Sequence, residues 1–141
     1  MKILVGIDGS EMSHKVAAEA AKLAAKLDGG SLVLFRAVAL PPDLPPSFLV
    51  MAPDEVTHAL VEAAEKNLRD VAARLPPGVA TMQRVEINTP WRAICAAAKE
   101  IDADLVVIGA HGHHGIERLL GTTAAKVVDH CDRSVLVVRL R

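Results

Sequence analysis

The sequence predicts an α/β protein with an open parallel sheet covered by helices on both faces. Two observations carry that expectation. Short apolar runs of strand length alternate with segments of helical periodicity from one end of the chain to the other. The first and fourth runs also lead into glycine-containing turns, the usual neighbourhood of a ligand in such sheets.

Ile3 to Ile7, Leu32 to Phe35, Leu105 to Ile108 and Val135 to Val138 are apolar at nearly every position. Continuous runs of this kind suit strands buried on both sides of a parallel sheet. Val79 to Ile87 differs, because Val85 and Ile87 alternate with Arg84 and Glu86, the pattern of a half-exposed edge strand. Helical spacing joins Val16, Ala20, Leu23 and Leu27 after Ser10 as N-cap, and Val56, Leu60, Ala64, Leu68, Val71 and Leu75 in a longer segment. Thr89-Pro90 opens a third helix carrying Ile94, Ala97, Ala98 and Ile101. A fourth begins near Thr122 and turns Ala125, Val128 and Cys131 inward. The order β-α-β-α-β-α-β-α-β implies right-handed crossovers. Ala39 to Pro53, with five prolines, reads as a loop.

The bulk numbers exclude several functions. The chain has 141 residues, the length of one domain, and is 51% apolar and 23% charged, as a soluble globular protein is. A net charge of −1, two Phe, one Trp and no Tyr leave neither the basic face nor the stacking platforms that nucleic acid requires. No apolar run approaches the ~20 residues of a membrane span, and the start lacks the pattern of a signal peptide. Cytoplasmic residence is the default. Cys95 and Cys131 form no CxxC pair and read as buried, reduced residues within helices.

The chemistry concentrates in two segments. The first is Gly6-Ile7-Asp8-Gly9-Ser10, where Asp8 either serves a ligand or caps the turn before the first helix. The second runs from Gly109 to Thr123, with glycines at 109, 112, 115 and 121 between a buried strand and a helix. Such glycines allow close backbone approach, and the N–H groups and dipole of a helix start favour an anion. Together they describe a phosphate cradle, the alternative being a plain loop with a threonine N-cap. The segment lacks the lysine of a Walker motif and does not follow the first strand as a dinucleotide fingerprint does. His111, His113 and His114 have no carboxylate or thiolate beside them in sequence, so a metal site is not expected there. Arg118 reads as a surface arginine.

The whole chain resembles the universal stress protein family. The opening ILVGIDGS, the turn NTPWRAI, the ending LLGTTAAKVVDHCDRSVLVVR, and a segment similar to the nucleotide motif G-x2-G-x9-G-(S/T) carry the resemblance. It implies a Rossmann-like five-stranded parallel sheet of order 3-2-1-4-5, with ATP lying across the ends of the first and fourth strands. Ile7, Ala37 and Ile108 would border the adenine, and Asp8 would approach the ribose and phosphates, with Mg2+ as an intermediary. Gly109, His111, Gly112, Gly121, Thr122 and Thr123 would line the ribose and phosphate side. One departure stands out: eight residues, His113 to Leu120, separate Gly112 from Gly121 where the motif has nine.

No positioned base or nucleophile is evident, so the expected function is a nucleotide-binding stress switch or sensor with at most slow hydrolysis, not an enzyme. A phosphorylation receiver is excluded, because Asp8 stands without an acidic neighbour and no lysine-bearing turn follows the fifth strand. The alternative is a nucleotide-free interaction module of the same fold. In the implied order Val135 to Val138 is an edge strand, apolar on both faces, and a homodimer through it would protect it.

Overall fold

The structure, a computed structural model, describes residues 1–40, 53–110 and 120–139. Of the expected loop from Ala39 to Pro53, residues 41–52 lie outside those described.

The elements follow the expected alternation: β1 (Lys2–Gly6), α1 (Met12–Ala25), β2 (Ser31–Val38), α2 (Pro53–Ala73), β3 (Ala80–Ile87), α3 (Pro90–Glu100), β4 (Leu105–Gly109), α4 (Thr122–His130) and β5 (Ser134–Val138). The strands form one parallel sheet in the order β3-β2-β1-β4-β5. Its centre is β1, where Ile3 pairs with Leu32 of β2 on one side and Leu105 of β4 on the other.

Alternation along these strands sorts the core into two layers. Ile3, Val5, Leu34 and Val107 face Val16 and Ala20 of α1 and Leu68 and Val71 of α2. Leu4, Phe35, Val106 and Ile108 face Ile94 and Ala97 of α3 and Val127 of α4. Helices therefore cover both faces. Each such side chain removed from water contributes about 1.5–3 kcal/mol, so the central runs are the chief source of stability.

The edges behave differently. Met82 of β3 is 70% exposed, and Arg84 of β3 forms ion pairs with Glu86 and with Glu100 of α3. These charges mark the open strand that the alternating sequence anticipates. At the other edge β5 is only partly covered, and Leu136 is 40% exposed.

Several local expectations need correction. The first helix ends at Ala25 and the second at Ala73, so Leu27 and Leu75 fall beyond them, and Leu27 is exposed. The N-cap position of the first helix is Glu11 rather than Ser10. In α4 the inward residues are Ala124 and Val127, not Ala125 and Val128. In a short segment rich in alanine and valine, several faces are equally apolar, and packing against α3 chooses among them. Cys95 lies in α3, but Cys131 stands just past the end of α4, and both free cysteines are only partly buried.

Among the described residues, no helix is long and apolar enough to cross a membrane.

Candidate functional site

The chain leaves β1 through a turn built around one carboxylate. Oδ1 of Asp8 accepts the Ser10 N–H at 2.9 Å and the Ser13 hydroxyl at 2.9 Å, while the Ser13 oxygen accepts the Asp8 N–H at 3.3 Å. Gly9 makes this turn with φ of +82°, a conformation that costs a side-chain-bearing residue about 1–2 kcal/mol. The Arg36 guanidinium, from β2, packs against Gly9 so closely that an added Cβ would lie 2.6 Å from Nη2. Burial lowers the Arg36 pKa from its ordinary value, and the charge of Asp8 opposes that shift. Asp8 thus caps the turn, one of the two roles its sequence position allows, and brings a half-buried cation beside the site. Ser13, 3% exposed, is the polar residue that sequence reasoning missed. Its contact with Asp8 depends on the Gly9 turn, which no periodic pattern reveals.

The second wall comes from β4 and α4. The Ala110 N–H is donated to the Val138 carbonyl at 2.9 Å, and the Gly121 N–H to the Ala110 carbonyl at 2.7 Å. Ala110 and Gly121 are therefore neighbours, and α4 starts directly beside the end of β4. Gly121 is the N-cap, in an extended conformation, so Thr122 and Thr123 form the first turn rather than the cap. Backbone N–H groups of a first turn have no acceptor within their own helix, and they carry the positive end of its dipole. His111 and Gly112, with His113, His114 and Arg118, lie outside the described residues.

The two segments meet across one cleft of about 450 Å3. Ile7, Asp8, Ala37, Ile108, Gly109, Gly121, Thr122 and Thr123 all line it, so eight of the ten residues expected at a site share a single cavity. Its floor depends on Gly6, where a Cβ would stand 2.9 Å from Cγ2 of Ile108 and 3.3 Å from Cδ1 of Ile94. Met12, Ser13 and Val16 of α1 and Pro90 and Ile94 of α3 complete the walls. They were not anticipated as site residues, although Thr89-Pro90 marks a helix starting from a strand's carboxyl end, as α1 and α4 do. Ser10 also lines the cleft, and its hydroxyl is buried with no hydrogen-bond partner among the described residues. A buried hydroxyl without a partner costs about 1–3 kcal/mol, a cost that a bound polar group relieves.

The cleft is thus apolar at Ile7, Ala37, Ile94 and Ile108, and rich in donors at Ser10 and the start of α4. It suits a ligand with a flat apolar part and an anionic part. Among the described residues, no group of three or more His, Cys, Asp or Glu side chains is placed to hold a metal ion.

Comparison with known proteins agrees with this architecture. A family model described as the universal stress protein family matches residues 1–139. Universal stress protein A homolog 2 of Coxiella burnetii is 31% identical over 140 residues, covering 99% of this chain and 95% of that protein. Among solved structures, the universal stress protein UspA from Lactobacillus plantarum superposes with a TM-score of 0.75 at 28% identity, covering 99% of this chain and 97% of that one. A universal stress protein in complex with cAMP is similar over 98% of this chain and 95% of its own, at 25% identity and a TM-score of 0.64. Full-length likeness in sequence and in fold places the chain in the universal stress protein family.

Proposed function

We propose that the protein binds an adenine nucleotide, ATP with or without Mg2+, and acts as a homodimeric stress-response switch or sensor with at most slow hydrolysis. The observation that carries this reading is the single cleft joining the Asp8 turn to the start of α4. Ile7, Ala37 and Ile108 supply apolar walls for the adenine. Gly109, Gly121, Thr122 and Thr123 offer backbone room and N–H groups to the ribose and phosphates. A bound polar group within reach would also give the buried Ser10 hydroxyl a partner. His111 and Gly112 extend the phosphate side in the family's motif.

Asp8 fits a supporting role toward Mg2+. Its Oδ1 is engaged by Ser10 and Ser13, so the carboxylate is held in place at the mouth of β1. A Mg2+ ion there would take most of its ligands from phosphate oxygens and water, as this ion does with nucleotides. The cAMP carried by one relative supports an adenine ligand.

The test is direct. With one Trp and no Tyr, the protein's own near-ultraviolet absorbance is weak, so co-purified adenine would dominate its spectrum. Calorimetric titration with ATP, ADP, AMP and cAMP, each with and without Mg2+, then ranks the ligands. Heat of binding for an adenine nucleotide supports the proposal. A spectrum without the adenine band together with silent titrations overturns it. That outcome favours a nucleotide-free dimeric interaction module, the reading to which a loop one residue short of the motif lends weight.

A further inference from the structure

Helices α3 and α4 lie side by side, and their contact brings together two thiols that are remote in sequence. The Trp91 ring of α3 stacks on the His130 imidazole of α4, with centroids 4.7 Å apart and planes at 42°. The Lys126 ammonium, one turn before His130, sits 5.8 Å from the centre of the same ring. Cys95 follows Trp91 by one helical turn and so shares its face, and Cys131 directly follows His130. Both cysteines pack against the same buried cluster of α3, α4 and β4. Cys131 stands as C-cap in an extended conformation, near enough to Cys95 to help raise the pKa of its thiol.

We infer that Cys95 and Cys131 form a reversible intramolecular disulfide, an oxidative modification that joins α3 to the junction of α4 and β5. Neither cysteine is engaged in a disulfide in this structure, and neither is deeply buried. Their neighbours Trp91 and His130 touch and both thiols pack on one cluster, so the two cysteines lie in the same small region, which a disulfide requires. Cys95 on α3 and Cys131 at the end of α4 belong to one layer of one chain, so an intramolecular product is favoured over linkage between copies.

The oxidant is a hydroperoxide. The thiolate of one cysteine attacks the distal peroxide oxygen; the O–O bond breaks, leaving a sulfenic acid and releasing the alcohol, or water in the case of hydrogen peroxide. The second thiol then attacks the sulfenic sulfur, the S–S bond forms, and water departs with the second thiol proton. In sum the two thiols lose two electrons and two protons, and the peroxide is reduced. The Cys95 thiol is pushed up to about 11 by burial first and by its neighbours Cys131 and Asp132 after it, which suits the resolving role.

This inference is independent of the nucleotide reading, and so is its test. The full-length protein is treated with hydrogen peroxide and its intact mass measured without alkylation. The expected product is a monomeric chain lighter by about 2 Da, restored by dithiothreitol. Trypsin then yields peptides 93–99 and 127–133 joined through their cysteines. Cys95→Ser and Cys131→Ser each abolish the mass loss. Stepwise addition of oxygen with no joined peptide overturns the inference. Chains linked to one another as the main product overturn it equally. Diamide, which oxidises paired thiols without a sulfenic step, provides a second route to the same joined peptide, and failure with both reagents counts against the pairing itself.

Discussion

Ser13→Ala isolates the polar knot beneath the candidate site. The Ser13 hydroxyl is buried and holds Asp8 twice, donating to Oδ1 at 2.9 Å and accepting the Asp8 N–H at 3.3 Å. A hydrogen bond to a charged partner contributes about 1.5–3 kcal/mol, while the longer bond contributes less than the usual ~1 kcal/mol. Alanine recovers about 0.5 kcal/mol through its better helix propensity in the first turn of α1. The net loss is therefore about 1–3 kcal/mol. Unfolding entropy of about 2.1 cal/mol/K per residue gives roughly 0.3 kcal/mol/K for a chain of this size, so Tm falls by about 3–10 °C. Scanning calorimetry of both proteins at pH 7 measures the difference. A double-mutant cycle with Asp8→Ala then assigns it, because the two substitutions remove one interaction and their costs overlap by about 1 kcal/mol or more. A fall in Tm below about 1 °C, or fully additive costs, would refute the account of Ser13 as the anchor of Asp8.

Three further outcomes follow from separate parts of the molecule. At Gly30 a Cβ would collide with the Ala24 carbonyl oxygen, a backbone atom that cannot move aside without opening the end of α1. Gly30→Ala is expected to cost about 1–3 kcal/mol by thermal denaturation, whereas the same change at Gly29, where a Cβ meets nothing within 4 Å but φ is +68°, costs only about 1 kcal/mol. Equal losses at the two positions would contradict the clash. The Cys95 thiol, pushed up to about 11, favours the folded state below the ordinary thiol range and withdraws that contribution as pH rises through the folded value. In a Cys131→Ala background the influence of that neighbour is gone but burial remains, so iodoacetamide capture of Cys95 rises at a pH below that in the native protein yet above that in urea. Coincident folded and unfolded profiles would rule out burial as the main cause. Finally, Leu136→Lys places a charge on the 40% exposed position of edge strand β5. Light scattering at micromolar concentration is expected to report a dimer for the native chain and a monomer for the variant, and a native monomer would remove the proposed β5 pairing.

Much of the fold was legible because burial acts locally. A strand covered on both faces must be apolar at nearly every position, so β1, β2 and β4 announce themselves in four or five residues, and β5 carries the same apolar run although it is only partly covered. The pairing of Thr89 with Pro90 and the glycine before Thr122 likewise mark helix starts from local backbone preference. Strand order was another matter: it came from resemblance to a family, since apolar runs do not state which neighbours they choose.

The sequence by itself determined the alternation of strands and helices and the two strand ends where chemistry concentrates; with the family resemblance it named eight of the seventeen residues that line the cleft. Tertiary structure decided what depends on contacts between distant segments. It turned Ala124 and Val127 inward, because α3 selects a face that an alanine-rich helix leaves undecided. It placed Ser13 against Asp8 through the positive φ of Gly9, and Arg36 against Gly9 from another strand. It also brought Cys95 near Cys131, an adjacency made by the packing of α3 against the end of α4 and absent from any local pattern. Periodicity records which side of an element avoids water; only packing determines what that side meets.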